Sequence, residues 1–251
     1  MSDRSLKWQL VLRSLLIQGS WNYRTLLGAG VGWALLPVLR KRRGAEPPSA
    51  WIARQTAHFN AHPYLTPLAL GALARAETGG AEPERVQRFR DALRGPLGSL
   101  GDGFVWGSWR PLCILTALLA GVLGAPPSAV VIGFIVVYNV AHLAIRGWGV
   151  GLGLEMGFTV AEGIRRMDLP GWAERTAKMG VLILGVASGV ALGLGLGFSP
   201  PRILFLGAAS ASFVIGFLGG ESLQRWGPIL LLGIVLTAFA AGAGPWLVAP
   251  E

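Results

Sequence analysis

Apolar residues in this chain fall in long, almost uncharged runs over its second half and in shorter, basic-flanked stretches over its first. Runs near 111–124, 128–146, 179–198, 202–219 and 227–248 read as membrane spans. Several fall short of the roughly 20 residues a straight crossing needs, which predicts tilted, broken or re-entrant elements among them. The connections alternate in character. Ala125-Pro126-Pro127 and Ser199-Pro200-Pro201 are uncharged turns and are expected outside. The link 147–178 carries Arg165, Arg166, Arg175 and Lys178, and the later return carries Glu221 and Arg225. Both are expected on the cytoplasmic side, which leaves the C-terminus outside.

The first half has a different pattern. Leu6, Leu10, Leu15 and Leu16 give residues 4–39 an apolar side, with Arg4, Lys7, Arg13 and Arg24 interspersed. Basic residues inside this first apolar stretch argue against a cleavable leader. The segment Gln18-Gly-Ser-Trp-Asn-Tyr23 sets two amides and two aromatics within it. Leu26 to Leu39 follows, with Gly28 and Gly32 at a close-packing spacing, and Arg40-Lys-Arg-Arg43 closes it. A simple crossing by residues 8–39 would leave the basic segment 40–94 outside, against the positive-inside tendency. The start is therefore expected to be a re-entrant or interfacial hairpin, with Gln18 and Asn22 facing protein or a cavity. Residues 49–77 look helical with a break at Pro63, 78–83 form a polar loop, and 84–94 form a short charged helix presenting a solvated face.

The most unusual segment is Gly95-Pro-Leu-Gly-Ser-Leu-Gly-Asp102, Gly103-Phe-Val105, Trp106-Gly-Ser-Trp-Arg-Pro111. Each glycine costs about 1 kcal/mol against alanine inside a helix, so an ordinary helix interior is excluded. Asp102 and Arg110 stand at the edge of the apolar region, where ionisable groups are functional candidates. The competing reading is a helix–loop–helix corner with Asp102 as the cap of the next helix.

Composition supports a polytopic helical membrane protein: 52% of the 251 residues are hydrophobic and only 14% charged. Ten tryptophans suit membrane interfaces. The net charge of +9 could signal nucleic acid in a soluble domain, but the basic residues lie in links between apolar runs, so no nucleic-acid partner is expected. The lone Cys113 excludes an internal disulfide framework and reads as a core residue.

Chemistry-bearing motifs are sparse. Gly185, Gly189, Gly193 and Gly197 form a small-residue helix face, which points to packing. Gly147, Gly149, Gly151 and Gly153 do not follow the dinucleotide pattern, and no strand precedes them. His58 and His62 have a helical zinc spacing, but Pro63 disturbs it and no glutamate follows the first, so no metal is expected. Asn139, His142 and Arg146 share a helical side, facing either a partner or cavity, or, for Arg146, the interface by snorkelling. Glu155 and Glu162 share another side. Neither a G-x-S-x-G elbow nor a Walker loop is present. No catalytic residue and no cofactor is expected.

Four separated stretches, in order, carry a resemblance. They are Gln18 to Tyr23, Phe59-Asn-Ala-His-Pro-Tyr64, Gly95 to Asp102 with Trp106 to Pro111, and Tyr138-Asn139 with Arg146-Gly-Trp-Gly-Val150. Together they resemble the IID membrane subunit of the mannose-type phosphoenolpyruvate-dependent sugar phosphotransferase system, the mannose/fructose/sorbose family, over most of residues 5–165. The resemblance implies an all-α polytopic membrane protein of about five transmembrane or broken helices, with an N-terminal re-entrant or interfacial region and amphipathic cytoplasmic-side helices. It implies a single IID membrane domain over 1–251, with 1–110 re-entrant and amphipathic and 111–251 membrane-spanning.

The same resemblance implies a multi-pass protein of the bacterial inner membrane. It implies a IIC partner sharing a hexose path, phosphate relay by cytoplasmic IIA and IIB domains, contact with membrane lipid, and a trimer of IIC–IID pairs. The sugar-path residues it implies are Gln18, Asn22, Asn60, Gly101, Asp102 and Trp106. Amides and carboxylates can satisfy sugar hydroxyls, and an indole can cover the apolar sugar face. Arg110 and Arg146 are then expected to fix the fold or contact IIB. Departures occur at Gly103, where family members usually have Pro or Ser, and in the reduced polar stretch around Ser199-Pro-Pro-Arg202. A regulatory or scaffolding subunit of an incomplete system with a degenerate path, and an intramembrane enzyme using Asp102 or the histidines, are the alternatives.

Overall fold

The computed structural model describes residues 3–42 and 46–193. The chain divides into two compact units, Met1–Val190 and Ala191–Glu251, and nearly all described residues belong to the first. The expected spans at 202–219 and 227–248, the Ser199-Pro200-Pro201 turn, Glu221, Arg225 and Gly197 lie outside the described residues.

Every regular element described is a helix: α1 (Asp3–Ser14), α2 (Gly28–Leu39), α3 (Pro48–Thr56), α4 (Thr66–Thr78), α5 (Pro83–Gly101), a π-helical segment (Asp102–Trp109), α6 (Arg110–Val122), α7 (Pro127–Met156), a short 3-10 turn (Gly157–Thr159), α8 (Val160–Arg166) and α9 (Leu169–Gly193). Prolines open several of them. Pro48, Pro67, Pro83 and Pro127 sit in first turns, where the missing N–H costs nothing. The break expected at Pro63 is the link between α3 and α4. Among the described residues, two stretches are long and apolar enough to cross a membrane, the Pro83–Val122 helix and Pro127–Val190.

Helix α4 is the core. Thr66 to Ala74 are all buried, as a helix apolar on every side must be. It packs on the C-terminal half of α7 at backbone distance. A Cβ at Gly71 would stand 2.3 Å from the Val150 carbonyl oxygen, and one at Gly153 would stand 2.2 Å from that of Leu68. This corrects the reading of 147–156 as part of a link. The stretch continues α7, and its glycines at every second position conceal a four-residue pair, Gly149 and Gly153, that faces α4. The helical cost of those glycines is offset by contact that larger residues would forbid. Gly28 plays the same part for α2: a Cβ there would lie 2.0 Å from the Ala57 carbonyl oxygen.

The glycine-rich segment 95–111 also departs from expectation. No loop interrupts it: α5, the π-helical segment and α6 form one helix from Pro83 to Val122. Asp102 lies inside this continuous helix, so the helix–loop–helix corner is not formed. The exclusion of an ordinary α-helix was correct for part of the stretch, because residues 102–109 adopt the wider i→i+5 register that often marks functional positions.

Polar staples hold the first unit together away from the apolar spans. Arg54 bonds Glu46 at 2.6 Å and Glu77 at 2.9 Å, and Gln55 Nε2 donates to Glu77 Oε1 at 2.7 Å. Burial lowers the Arg54 pKa, but the two carboxylates more than offset it and the net shift is upward. Residues 84–94 do not present only a solvated face: Arg90 is completely buried. Its guanidinium donates to the carbonyls of Ala57 (2.6 Å), His58 (3.0 Å) and Gln55 (3.2 Å), closing the C-terminal end of α3.

Candidate functional site

The three N-terminal motifs are drawn together by backbone bonds. Phe59 N donates to Thr25 O at 3.0 Å and Leu27 N donates to Phe59 O at 3.1 Å, tying the segment after Asn22 to the α3–α4 link. His62 N then donates to Leu97 O at 3.3 Å, tying that link to the glycine-rich helix. At this second junction the His62 ring rests on Gly101. A Cβ at position 101 would fall 2.1 Å from His62 Cβ, so only glycine fits. Asn60 lies beside Gly98, one turn earlier. Asp102 is exposed at the start of the π-helical segment, and one turn on Trp106 sets its ring 5.3 Å from the His62 ring. Trp106 is 41% exposed and carries the Arg110 guanidinium 4.5 Å above its face.

Behind this corner runs a polar and aromatic network. The His62 and Tyr64 rings meet edge to face at 5.2 Å. Tyr64 stacks flat on His142 at 3.7 Å with an interplanar angle of 2°. Arg146 Nε donates to His142 Nε2, and Arg146 Nη1 donates to the Ser14 carbonyl and to Ser14 Oγ. The network joins the end of α1 through α7 to the glycine-rich corner. Arg146 is 2% exposed, so it does not snorkel to an interface.

The sequence profile of the "PTS system mannose/fructose/sorbose family IID component" matches residues 3–198. The chain belongs to this IID family. The mannose-specific EIID component of Escherichia coli (strain K12) is 29% identical over 181 residues, 69% of this chain and 63% of that protein. The chain thus spans less than two thirds of the length of that relative. A solved chain from the cryo-electron microscopy structure of the mannose transporter ManYZ with microcin E492 superposes with a TM-score of 0.56 at 26% identity, over 75% of this chain and 70% of that one. A second solved chain, described as a membrane protein, gives a TM-score of 0.67 over 95% of this chain and 97% of its own, and at 20% identity it speaks to the fold alone.

In this IID chain four of the six sequence-derived candidates come together, while Asn22 and Gln18 each stand apart. Asn60, Gly101, Asp102 and Trp106 gather at the corner around His62. Asn22 lines a separate open groove of about 680 Å³ with Arg24, Thr25, Ala53, Thr56 and His58. Its amide is engaged in its own turn: Oδ1 accepts from Thr25 N at 2.9 Å and Nδ2 donates to Thr25 Oγ1 at 2.8 Å. Gln18 is exposed in the link between α1 and α2. His58 and His62 sit in an irregular link, so their spacing of four is not helical. His58 bonds Arg94 at the surface while His62 turns inward.

The stripe Asn139–His142–Arg146 splits. His142 and Arg146 join the network, but Asn139 is exposed and donates to its own helix at Ile135 O. His62, which sequence reasoning weighed only as a metal ligand or an alternative enzyme's histidine, and Tyr64, which it named only within a motif, stand at the centre of the corner. The local signal they share is membership of the Phe59–Tyr64 motif. The partners that give them their place, His142 and Gly101, are distant in sequence.

Proposed function

We propose that this IID chain is a membrane subunit of a phosphotransferase-system sugar permease, forming with a IIC subunit the path for a hexose of the mannose type whose uptake is coupled to phosphorylation by IIA and IIB. The observation that carries the reading is the convergence of Asn60, Asp102 and Trp106 on Gly101 and His62. Two of the four family motifs contribute hydrogen-bonding groups, an acid and an indole to neighbouring turns there. An exposed carboxylate beside an aromatic face suits a polyhydroxylated ligand. Gln18 and Asn22 belong to the same path in this reading, on the side of the N-terminal link.

The reading extends to the assembly. In this reading the protein is one IID domain of about five crossing or broken helices, carried in a bacterial inner membrane. The exposed apolar side chains of α7, including Ile132, Val136 and Val140, then face lipid or IIC. Three IIC–IID pairs form the complex. The N-terminal helices lie at the interface.

The test is sugar uptake in cells lacking their own mannose-type system, supplied with this chain and its cognate IIC, IIA and IIB. Asp102→Asn is expected to lower uptake about tenfold or more, the effect of losing one charged hydrogen bond to substrate, while the complex still co-purifies. Absence of uptake by the wild-type complex, with IIC still bound, would instead leave a regulatory or scaffolding subunit.

A further inference from the structure

We propose that His62 is a further substrate-contacting residue of this corner, its Nε2–H donating a hydrogen bond to one sugar hydroxyl. The inference rests on the transport reading given above. Its tautomer follows from geometry: Tyr64 N–H donates to His62 Nδ1 at 3.2 Å, so Nδ1 is an acceptor and the proton of a neutral ring sits on Nε2. That Nε2 is buried, in a residue 2% exposed, and has no hydrogen-bond partner among the described residues.

Buried N–H groups without partners are rare, and each calls for a ligand, a water or a partner group. The ring cannot turn to find one. Gly101 presses on its Cβ, Tyr64 and Trp106 meet it edge to face, and the Tyr64 backbone holds Nδ1. Such immobility suits a selective contact, because a fixed donor rejects a ligand that lacks the matching oxygen.

Access is governed by Trp106, whose ring is the neighbour of His62 on the exposed side of the corner. Trp106 is carried by the π-helical segment Asp102–Trp109. A shift of that segment by one residue toward α-helical register would swing the indole by about 100° around the helix, and so uncover Nε2 beside Asp102.

The experiment is competition of uptake, by the full complex in cells, between labelled parent sugar and a set of monodeoxy analogues. The wild type is expected to discriminate against one deoxy position by about tenfold or more. His62→Phe, which keeps a flat ring, is expected to lose that discrimination at that position alone. The KM for the parent sugar should rise by a similar factor and the maximal rate should change little. His62→Gln, which keeps an N–H donor, should recover part of the discrimination. Equal discrimination in wild type and His62→Phe, with uptake still dependent on Asp102, would overturn the inference and leave the transport reading intact. Failure of both variants to assemble with IIC would also overturn it, since the imidazole would then be structural. Absence of wild-type uptake would overturn the transport reading and this inference with it.

Discussion

Gly153→Val will prevent recovery of a folded chain. The α4–α7 packing is built on backbone contact, and a Cβ at position 153 would stand 2.2 Å from Leu68 O, 2.6 Å from Ala72 N and 2.9 Å from Gly71 Cα. All three are backbone atoms of one buried helix and cannot step aside as a flexible side chain could. The two helices must separate, which exposes the apolar surface around Leu68 and Val150. The cost is expected to reach about 4 kcal/mol or more, within the range reserved for severe core lesions. That is a large fraction of the stability of an ordinary domain. Gly133→Val is the control on the same helix, because a Cβ there meets nothing within 4 Å. Size-exclusion profiles and thermal unfolding of the detergent-solubilised chain decide it: equal yields and midpoints for the two variants would refute the packing argument.

Arg90→Met ranks second. The guanidinium is completely buried and satisfies the carbonyls of Gln55, Ala57 and His58, where α3 ends and the link to the corner begins. Methionine fills similar space but donates nothing. The carbonyls lose a charged donor and remain out of reach of water, at a cost of about 3 kcal/mol or more. Arg90→Lys should recover little, because an ammonium point charge cannot reproduce a planar fork that reaches several acceptors. The loss should appear as a lowered unfolding midpoint for both variants. The loop 57–65, which carries Asn60 and His62, should also become more open to proteolysis. A wild-type midpoint in Arg90→Met would show that the bonds contribute nothing net.

The two residues differ in how well the sequence announced them. Gly153 sat in a conspicuous run of glycines, but their two-residue spacing hid which of them touched another helix. Only the direction of α7 relative to α4 separates Gly149 and Gly153, which meet Leu68, from Gly147, which meets nothing within 4 Å. Arg90 sat among other charges in what looked like a solvated helix. Nothing local distinguished it from Arg88, which is exposed, because its acceptors come from a helix end more than 30 residues away.

The sequence by itself determined the class of the protein. Long uncharged runs forced helices of membrane-spanning length, Pro63 forced the break between α3 and α4, and four ordered motifs carried the family. These are properties of composition and local geometry, legible wherever one residue type imposes one conformation. The tertiary structure decided what the glycines and polar residues do. It turned residues 95–111 into one helix with a π-helical turn, brought Asn60, Asp102 and Trp106 around His62, and left Asn22 bonded within its own turn. It also buried Arg146 against Ser14 and His142. Each of these outcomes depends on a partner distant in the chain, and a close approach or a buried hydrogen bond exists only once both sides are in place.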